Sequence, residues 1–250
     1  MIFRRAITAL GLLAAVNAMA ATTNDPATAE IEGRELALQL LSQRPEKNFT
    51  NTGTLRIFGG KGKPVAVPVA LHTFVTPTNW QTLYFTSGPN ADHAASFTVT
   101  HAASQPNDYR VAILFQRRGP TNEFEFLAGE KSFVPFAGSD FWLADLGLEF
   151  FHWPSQRVIR KELKQGKLCA VLVSANPDPA GAYSRVVSWI GEESGGIFQA
   201  EAYDAKGKLL KEFEPKSVER VNGQYQPREL QIRNRQTGTR TRIEFNFDAR

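Results

Sequence analysis

The sequence predicts a mainly β chain of the α+β class. It would form a single antiparallel sheet of about 11 strands, covered by an N-terminal helix and a short central helix. Three observations carry this. Beyond residue 50, apolar residues recur every second position in short runs, as in Val65, Val67, Val69 and Leu71, the spacing of a half-buried strand. Turn-forming pairs such as Gly59-Gly60, Asn222-Gly223 and Thr237-Gly238 separate such runs at hairpin intervals. Two stretches, 26–42 and 138–153, replace the alternation with helical spacing. A sheet of this many strands curls or closes because strand twist accumulates.

The chain opens with a leader. Arg4 and Arg5 precede an apolar run over 6–16, and Ala18-Met19-Ala20 puts small residues at both cleavage-determining positions, the layout of a secretory signal peptide cut after Ala20. Ala21 follows rather than the Cys of a lipoprotein leader, so a soluble periplasmic product is expected, with 21–250 as one domain. No later run approaches the roughly 20 apolar residues of a membrane helix, so an integral membrane protein is not expected. The formal charge is +4 and falls by two with loss of Arg4 and Arg5. Arg228, Arg233, Arg235, Arg240 and Arg242 lie in strands as a solvated face, not a nucleic-acid groove. Cys169 is the single cysteine, within an unbroken apolar run over 168–173. It forms no internal disulfide and reads as a buried small hydrophobe.

Asp25-Pro26 marks the start of the first helix, which runs to about Ser42. Ile31, Leu36, Leu40 and Leu41 share one side, with Arg34, Glu35 and Gln39 on the other; Gly33 weakens it and Pro45 closes it. Strands follow at 54–57, 65–71, 80–86, 96–100, 109–115 and 123–126. Pro68 cannot donate to a ladder, so its strand should be an edge or carry a bulge. In the second half, 157–163 and 167–174 form a hairpin about Gly166. Further strands are expected at 183–190, 197–203, 208–214, 224–233 and 240–247. In the last, Ile243, Phe245 and Phe247 alternate with Arg242, Glu244 and Asn246, one buried and one wet face.

Between the two halves lies 138–153, GSDFWLADLGLEFFHW. Ser139 and Asp140 are suited to cap a helix, and Pro154 stops it. Phe141, Trp142, Leu146 and Phe150 gather on one side, while Asp145 and Glu149 form an i,i+4 pair expected to face water. Gly147 loosens the helix. The segment is either a plug in the core or a lid over an apolar cavity. As a lid it would set Phe141, Trp142, Leu146 and Phe150 opposite Leu172, Val187, Trp189 and Phe198, which makes these eight the candidate ligand-binding residues. No catalytic chemistry competes. His72, His93, His101 and His152 lack metal-ligand spacing, there is no GxSxG, and no helix follows Gly59-Gly60-Lys61-Gly62 to hold a phosphate. Neither an enzyme, a metal nor a cofactor is expected.

Several motifs in order, GSDFWLADLG, LCAVLVSANP, YSRVVSWI, AEAYDAKGKLLKEF and VNGQYQPRELQIRNRQTGTRTRIEF, make the stretch from 138 to about 247 resemble the LolA-like outer-membrane lipoprotein-sorting proteins. The first half is similar more loosely. The resemblance implies a half-open antiparallel barrel lined with apolar side chains and covered by helices. It implies a periplasmic carrier or chaperone for lipid or lipoprotein acyl chains, with a membrane-anchored donor or acceptor protein as partner. The alternative on the same fold is an envelope sensor that reports a bound lipid to a protein partner. The family has no shared catalytic residues to carry over.

Overall fold

The computed structural model describes residues 25–59, 62–88, 95–102, 105–112, 124–178, 180–221 and 224–246. The leader with its cleavage position, His93 and the Asn222-Gly223 turn lie outside the described residues. Among the described residues, the period-two runs become thirteen antiparallel strands in one sheet. In the first half these are β1 (Phe49–Phe58), β2 (Val65–Val75), β3 (Trp80–Thr86), β4 (Ala95–Ala102), β5 (Gln105–Ala112) and β6 (Phe124–Leu127). The second half supplies β7 (Ser155–Lys164), β8 (Lys167–Ala175), β9 (Arg185–Gly191), β10 (Ile197–Tyr203), β11 (Leu209–Val221), β12 (Gln224–Asn234) and β13 (Arg240–Asn246). The count exceeds the expected 11, although each of the thirteen overlaps a run located in the sequence.

The strand order is β6-β5-β4-β3-β2-β1-β13-β12-β11-β10-β9-β8-β7. Two meanders are thus joined in the middle by their outer ends, β1 and β13, with Leu55 opposite Ile243. The sheet is not closed. Its two edges, β6 and β7, are consecutive in the chain, so the segment linking them must pass from one edge to the other. β2 is an interior strand with no bulge, contrary to the edge or bulge expected from Pro68. Pro68 is tolerated because β3 ends at Thr86, opposite Val69. Only Ser87 approaches it there, donating its N–H to the Pro68 carbonyl at 3.4 Å.

Helix α1 spans Pro26–Ser42 and packs against β7. Its contact face is Ala29, Gly33 and Ala37, flanked by half-buried Leu36, Leu40 and Leu41, whereas Ile31 is 52% exposed. Close approach explains the choice of small residues: a Cβ on Gly33 would lie 2.4 Å from the Gln156 carbonyl oxygen. Gly33 is therefore the contact point of the helix and not its weakness.

Strand alternation divides the sheet into an inner and an outer face. The inner face carries two cores. One is built on β7–β10 and α1, with Val158, Leu172, Val186 and Ile190; the other on β1, β2, β4, β5, β12 and β13, with Leu55, Val67, Phe97, Tyr109, Ile232 and Ile243. A smaller cluster of Cys169, Val171 and Trp189 lies on the outer face. Cys169, Ala170, Val171 and Leu172 are all buried, so β8 is covered on both faces, as its unbroken apolar run predicted.

Candidate functional site: the segment across the inner face

The chain between β6 and β7 crosses the inner face from edge to edge. It begins with a 3-10 turn, Gly129–Ser132, and then folds back on itself: Phe136 N–H donates to the Phe141 carbonyl at 2.8 Å and Leu143 N–H to that of Val134 at 3.1 Å. Helix α2, Leu143–Gly147, and a second 3-10 turn, Glu149–His152, complete it. The continuous helix expected over 138–153 is thus broken. Leu148 sits in the left-handed region at φ 53°, ψ 40°, a conformation that costs an ordinary residue about 1–2 kcal/mol and turns the chain out of the α-helix. Ser139 and Asp140 do not cap the helix. Ser139 Oγ accepts the Phe141 N–H at 3.1 Å, and Asp140 accepts from the Thr241 hydroxyl at 2.9 Å on β13. Trp142 is the N-cap residue, and its N–H donates to the Asp145 carboxylate at 2.8 Å, one half of a capping box.

The segment drives its side chains into both inner cores. Phe136, Phe141 and Leu143 enter the core of the first half, where Phe136 meets the rings of Tyr84 and Phe97. Phe133, Ala144, Phe150, Phe151 and Trp153 enter that of the second. Of the eight residues chosen from the sequence, Phe141, Trp142, Leu146 and Phe150 do lie on this segment, and Leu172 lies beneath it in the same core as Phe150. Val187, Trp189 and Phe198 are not brought to them. They lie on the outer face with Cys169 and Val171: the inward side chains of β9 are Val186, Ser188 and Ile190, and on β10, where Ala200 and Ala202 point inward, a register shift between Ile197 and Gln199 takes Phe198 out of their alternation.

Asp145 and Glu149 were expected to face water, but Glu149 is buried and the Asp145 side chain is only 10% exposed. Glu149 is 3% exposed; the break at Leu148 rotates it off the helical i,i+4 face and into the sheet. The Asp145 carboxylate accepts from the Tyr183 hydroxyl at 2.8 Å and from the Lys211 ammonium at 3.3 Å. The Lys211 side chain is 2% exposed and its ammonium lies 3.3 Å from the centroid of the Trp142 ring, which itself stacks on Tyr183 at 4.8 Å. Burial pushes Lys211 down to about 8, against the attraction of Asp145, and raises the Tyr183 hydroxyl well above its ordinary range.

A second polar brace holds the far end. Glu149 accepts from Asn107 Nδ2 at 3.0 Å and from the Tyr109 hydroxyl at 3.1 Å, both on β5, and burial raises its carboxyl above the usual range. Gly147 makes this approach possible, since a Cβ there would lie 2.1 Å from the Tyr109 oxygen. It is a packing residue and not the loosening one expected. Gln156 closes the segment by donating to the Phe150 and Trp153 carbonyls at 2.9 and 2.8 Å while accepting from Ser174 at 2.7 Å. None of Lys211, Tyr183, Asn107, Tyr109 or Gln156 was singled out in the sequence. Lys211 left one trace, a charge sharing strand parity with Leu209 and Phe213.

Where the segment meets the sheet there remains a cavity of about 30 Å³, lined by Asp145, Phe150, Tyr183, Lys211, Phe213 and Ile232 among others. That holds about one water, whereas ligand sites commonly occupy about 300–1,000 Å³. The apolar inner face is filled by the protein's own aromatic segment. Among the described residues no group of three or more His, Cys, Asp or Glu is placed to hold a metal, and no helix is long and apolar enough to cross a membrane.

Residues 121–247, just over half of the chain, match a family model described as an uncharacterized protein. No curated protein matches in sequence. Among solved structures, a DUF1329 family protein from Desulfovibrio piger is similar at 18% identity and a TM-score of 0.70, over 88% of this chain and 94% of that one. A domain from Vibrio parahaemolyticus, provisionally assigned as an outer membrane lipoprotein-sorting protein, is similar at 18% identity and a TM-score of 0.72, with the same coverage. A LolA superfamily protein from Nitrosomonas europaea is similar at 14% identity and a TM-score of 0.61, over 88% of this chain and 92% of that one. At such identities the likeness shows a shared fold: one curled, unclosed antiparallel sheet with a few helices.

Proposed function

We propose, on the premise that this chain belongs to the DUF1329-like family of uncharacterized proteins and has the LolA-like fold, that it is a periplasmic carrier for lipid or lipoprotein acyl chains. One observation carries the reading. The apolar inner face is covered not by closure of the sheet but by a single segment, 128–154, strung between its two edges. A segment attached in this way can move aside while the ladder stays intact. An acyl chain replacing it gains about 0.8 kcal/mol per buried methylene and needs no directional polar contacts. Phe141, Trp142, Leu146, Phe150 and Leu172 would then line the ligand, and the state described above is the closed one. No catalytic group is required.

The leader places the carrier outside the inner membrane, with cleavage after Ala20; intact-mass measurement of the exported protein tests this. The carrier role is tested by mass spectrometry of lipid extracted from the native protein, with titration of a fluorescent acyl probe followed by hydrogen exchange. Stoichiometric lipid, and faster exchange over 128–154 when the probe is bound, are expected. Absence of bound lipid together with no probe binding at saturation refutes the reading.

A further inference from the structure

A second concavity lies on the outer face, at one end of β1, β12 and β13. Thr241 and Ile243 point inward from β13, which turns Arg240 and Arg242 outward; Ile232 does the same for Arg233 on β12. The resulting open cleft of about 470 Å³ is lined by Phe58, Gly59, Arg233, Arg235, Gly238 and Arg240 among others.

The charges around it do not balance. Arg233 and Arg240 are directly opposite in the β12–β13 register, an arrangement that destabilises a sheet when both residues carry the same charge. The carboxylates nearby are already taken. Glu212, the cross-strand neighbour of Arg233, pairs with Arg235 at 2.7 Å; Glu244 pairs with Arg56 at 2.8 Å and Glu229 with Arg242 at 3.1 Å. Among the described residues, no carboxylate lies within 4 Å of Arg233 or Arg240. Arg240 is held in place by the Phe58 ring, its guanidinium 4.5 Å from the centroid.

We propose that this cleft binds a phosphate group, gripped between Arg233 and Arg240 with Arg235 at its rim. Two half-buried guanidinium forks on one side of a cleft offer paired N–H donors to tetrahedral phosphate oxygens, a geometry that a lone ammonium does not provide. The anion removes the repulsion between the two arginines, so binding and folding are coupled at this spot. The chemistry is shared by inorganic phosphate and by the headgroup of an anionic phospholipid. The site lies on the face opposite the apolar core and does not depend on the carrier reading.

The test uses the mature protein in low-salt, phosphate-free buffer, with Arg233→Gln, Arg240→Gln and, as a charge-matched control remote from the cleft, Arg228→Gln. Inorganic phosphate is titrated calorimetrically, and sedimentation is measured with vesicles of phosphatidylcholine alone or containing phosphatidylglycerol. Saturable binding of phosphate that Arg233→Gln and Arg240→Gln each weaken at least about tenfold, and Arg228→Gln does not, supports a free-anion site. Arginine-dependent binding seen only with phosphatidylglycerol vesicles supports the headgroup source. Without anion, Arg233→Gln should raise Tm by about 1–3 °C through relief of the like-charge pair, and phosphate should erase that advantage. Binding that is absent with both probes, binding equal in all four proteins, or a lower Tm for Arg233→Gln without anion overturns the proposal.

Discussion

Replacing Asp145 by Ala should open the protein. In the closed state Asp145 collects three donors, the Trp142 N–H and Tyr183 hydroxyl at 2.8 Å and the Lys211 ammonium at 3.3 Å. Its removal leaves Lys211, 2% exposed, with no anion beside it. Breaking a buried ion pair from one side costs about 3–5 kcal/mol. That cost falls on the closed state, because once the segment lifts away Lys211 meets water. A shift of about 3 kcal/mol changes the closed-to-open ratio roughly a hundredfold, and a ligand that binds only the open form gains apparent affinity in proportion while that form is rare. Acyl-probe titration of Asp145→Ala should therefore give tighter binding, by up to about a hundredfold. Hydrogen exchange should accelerate over 128–154 and stay unchanged in β2 and β12. Uniform acceleration across the sheet with unchanged or weaker probe affinity would show that the segment is a fixed part of the core, and the reasoning above would fail.

Other consequences follow from the same contacts. The folded pKa of Lys211, near 8, lies below its ordinary 10.5, so the wild type should gain stability relative to Lys211→Met as pH climbs from about 8 to 10.5, because the unfolded state holds more protons there; chemical denaturation across that range checks the sign. Glu149 has the opposite linkage. Its raised pKa means its stabilising share is complete below the unfolded carboxylate range and lost as pH rises through the folded value. Glu149→Gln keeps an acceptor for Asn107 and Tyr109 and should stabilise the protein at pH 7, a gain that fades in urea melts as pH falls through the carboxylate range. Gly147→Ala forces a methyl group onto Tyr109 and should cost about 1–3 kcal/mol, with Tyr109→Phe in the same background recovering part of the loss. Cys169→Ser should cost about 1–3 kcal/mol without loss of acyl-probe binding, and a bulky thiol reagent should label the folded wild type only at the rate of unfolding.

The strands were legible because burial on one face imposes a period of two, and the N-terminal helix because proline at its start and small apolar spacing along it are local signals. The central segment was legible as an aromatic interruption but not in its shape. One residue, Leu148, takes a left-handed conformation that no side-chain preference announces, and it carries Glu149 from the expected wet flank into the core. Asp145 was misplaced for a related reason. A carboxylate on a short helix is ordinarily solvated, and its buried partner Lys211 lies 66 residues away in sequence, a pairing that only the fold creates. Val187 and Trp189 fell on the outer face because alternation tells which residues share a side of a strand but not which side points inward; Phe198 did so because a bulge between Ile197 and Gln199 breaks the alternation of β10, which the sequence does not announce.

The pairing of the first and last strands in the middle of the sheet bears on how the chain is made. Thr52 and Asn246 exchange a side-chain hydrogen bond across 194 residues of sequence, so the sheet has high contact order and its central seam forms at a large cost in loop closure. During synthesis the first meander is complete long before β13 emerges, and β1 is left as an open edge with Leu55 uncovered. Such an edge is a template for pairing with other chains. The dangerous interval for this protein is therefore before the last strand arrives. Conditions or partners that keep the chain extended until then should raise the yield of folded protein more than any substitution that strengthens the finished core.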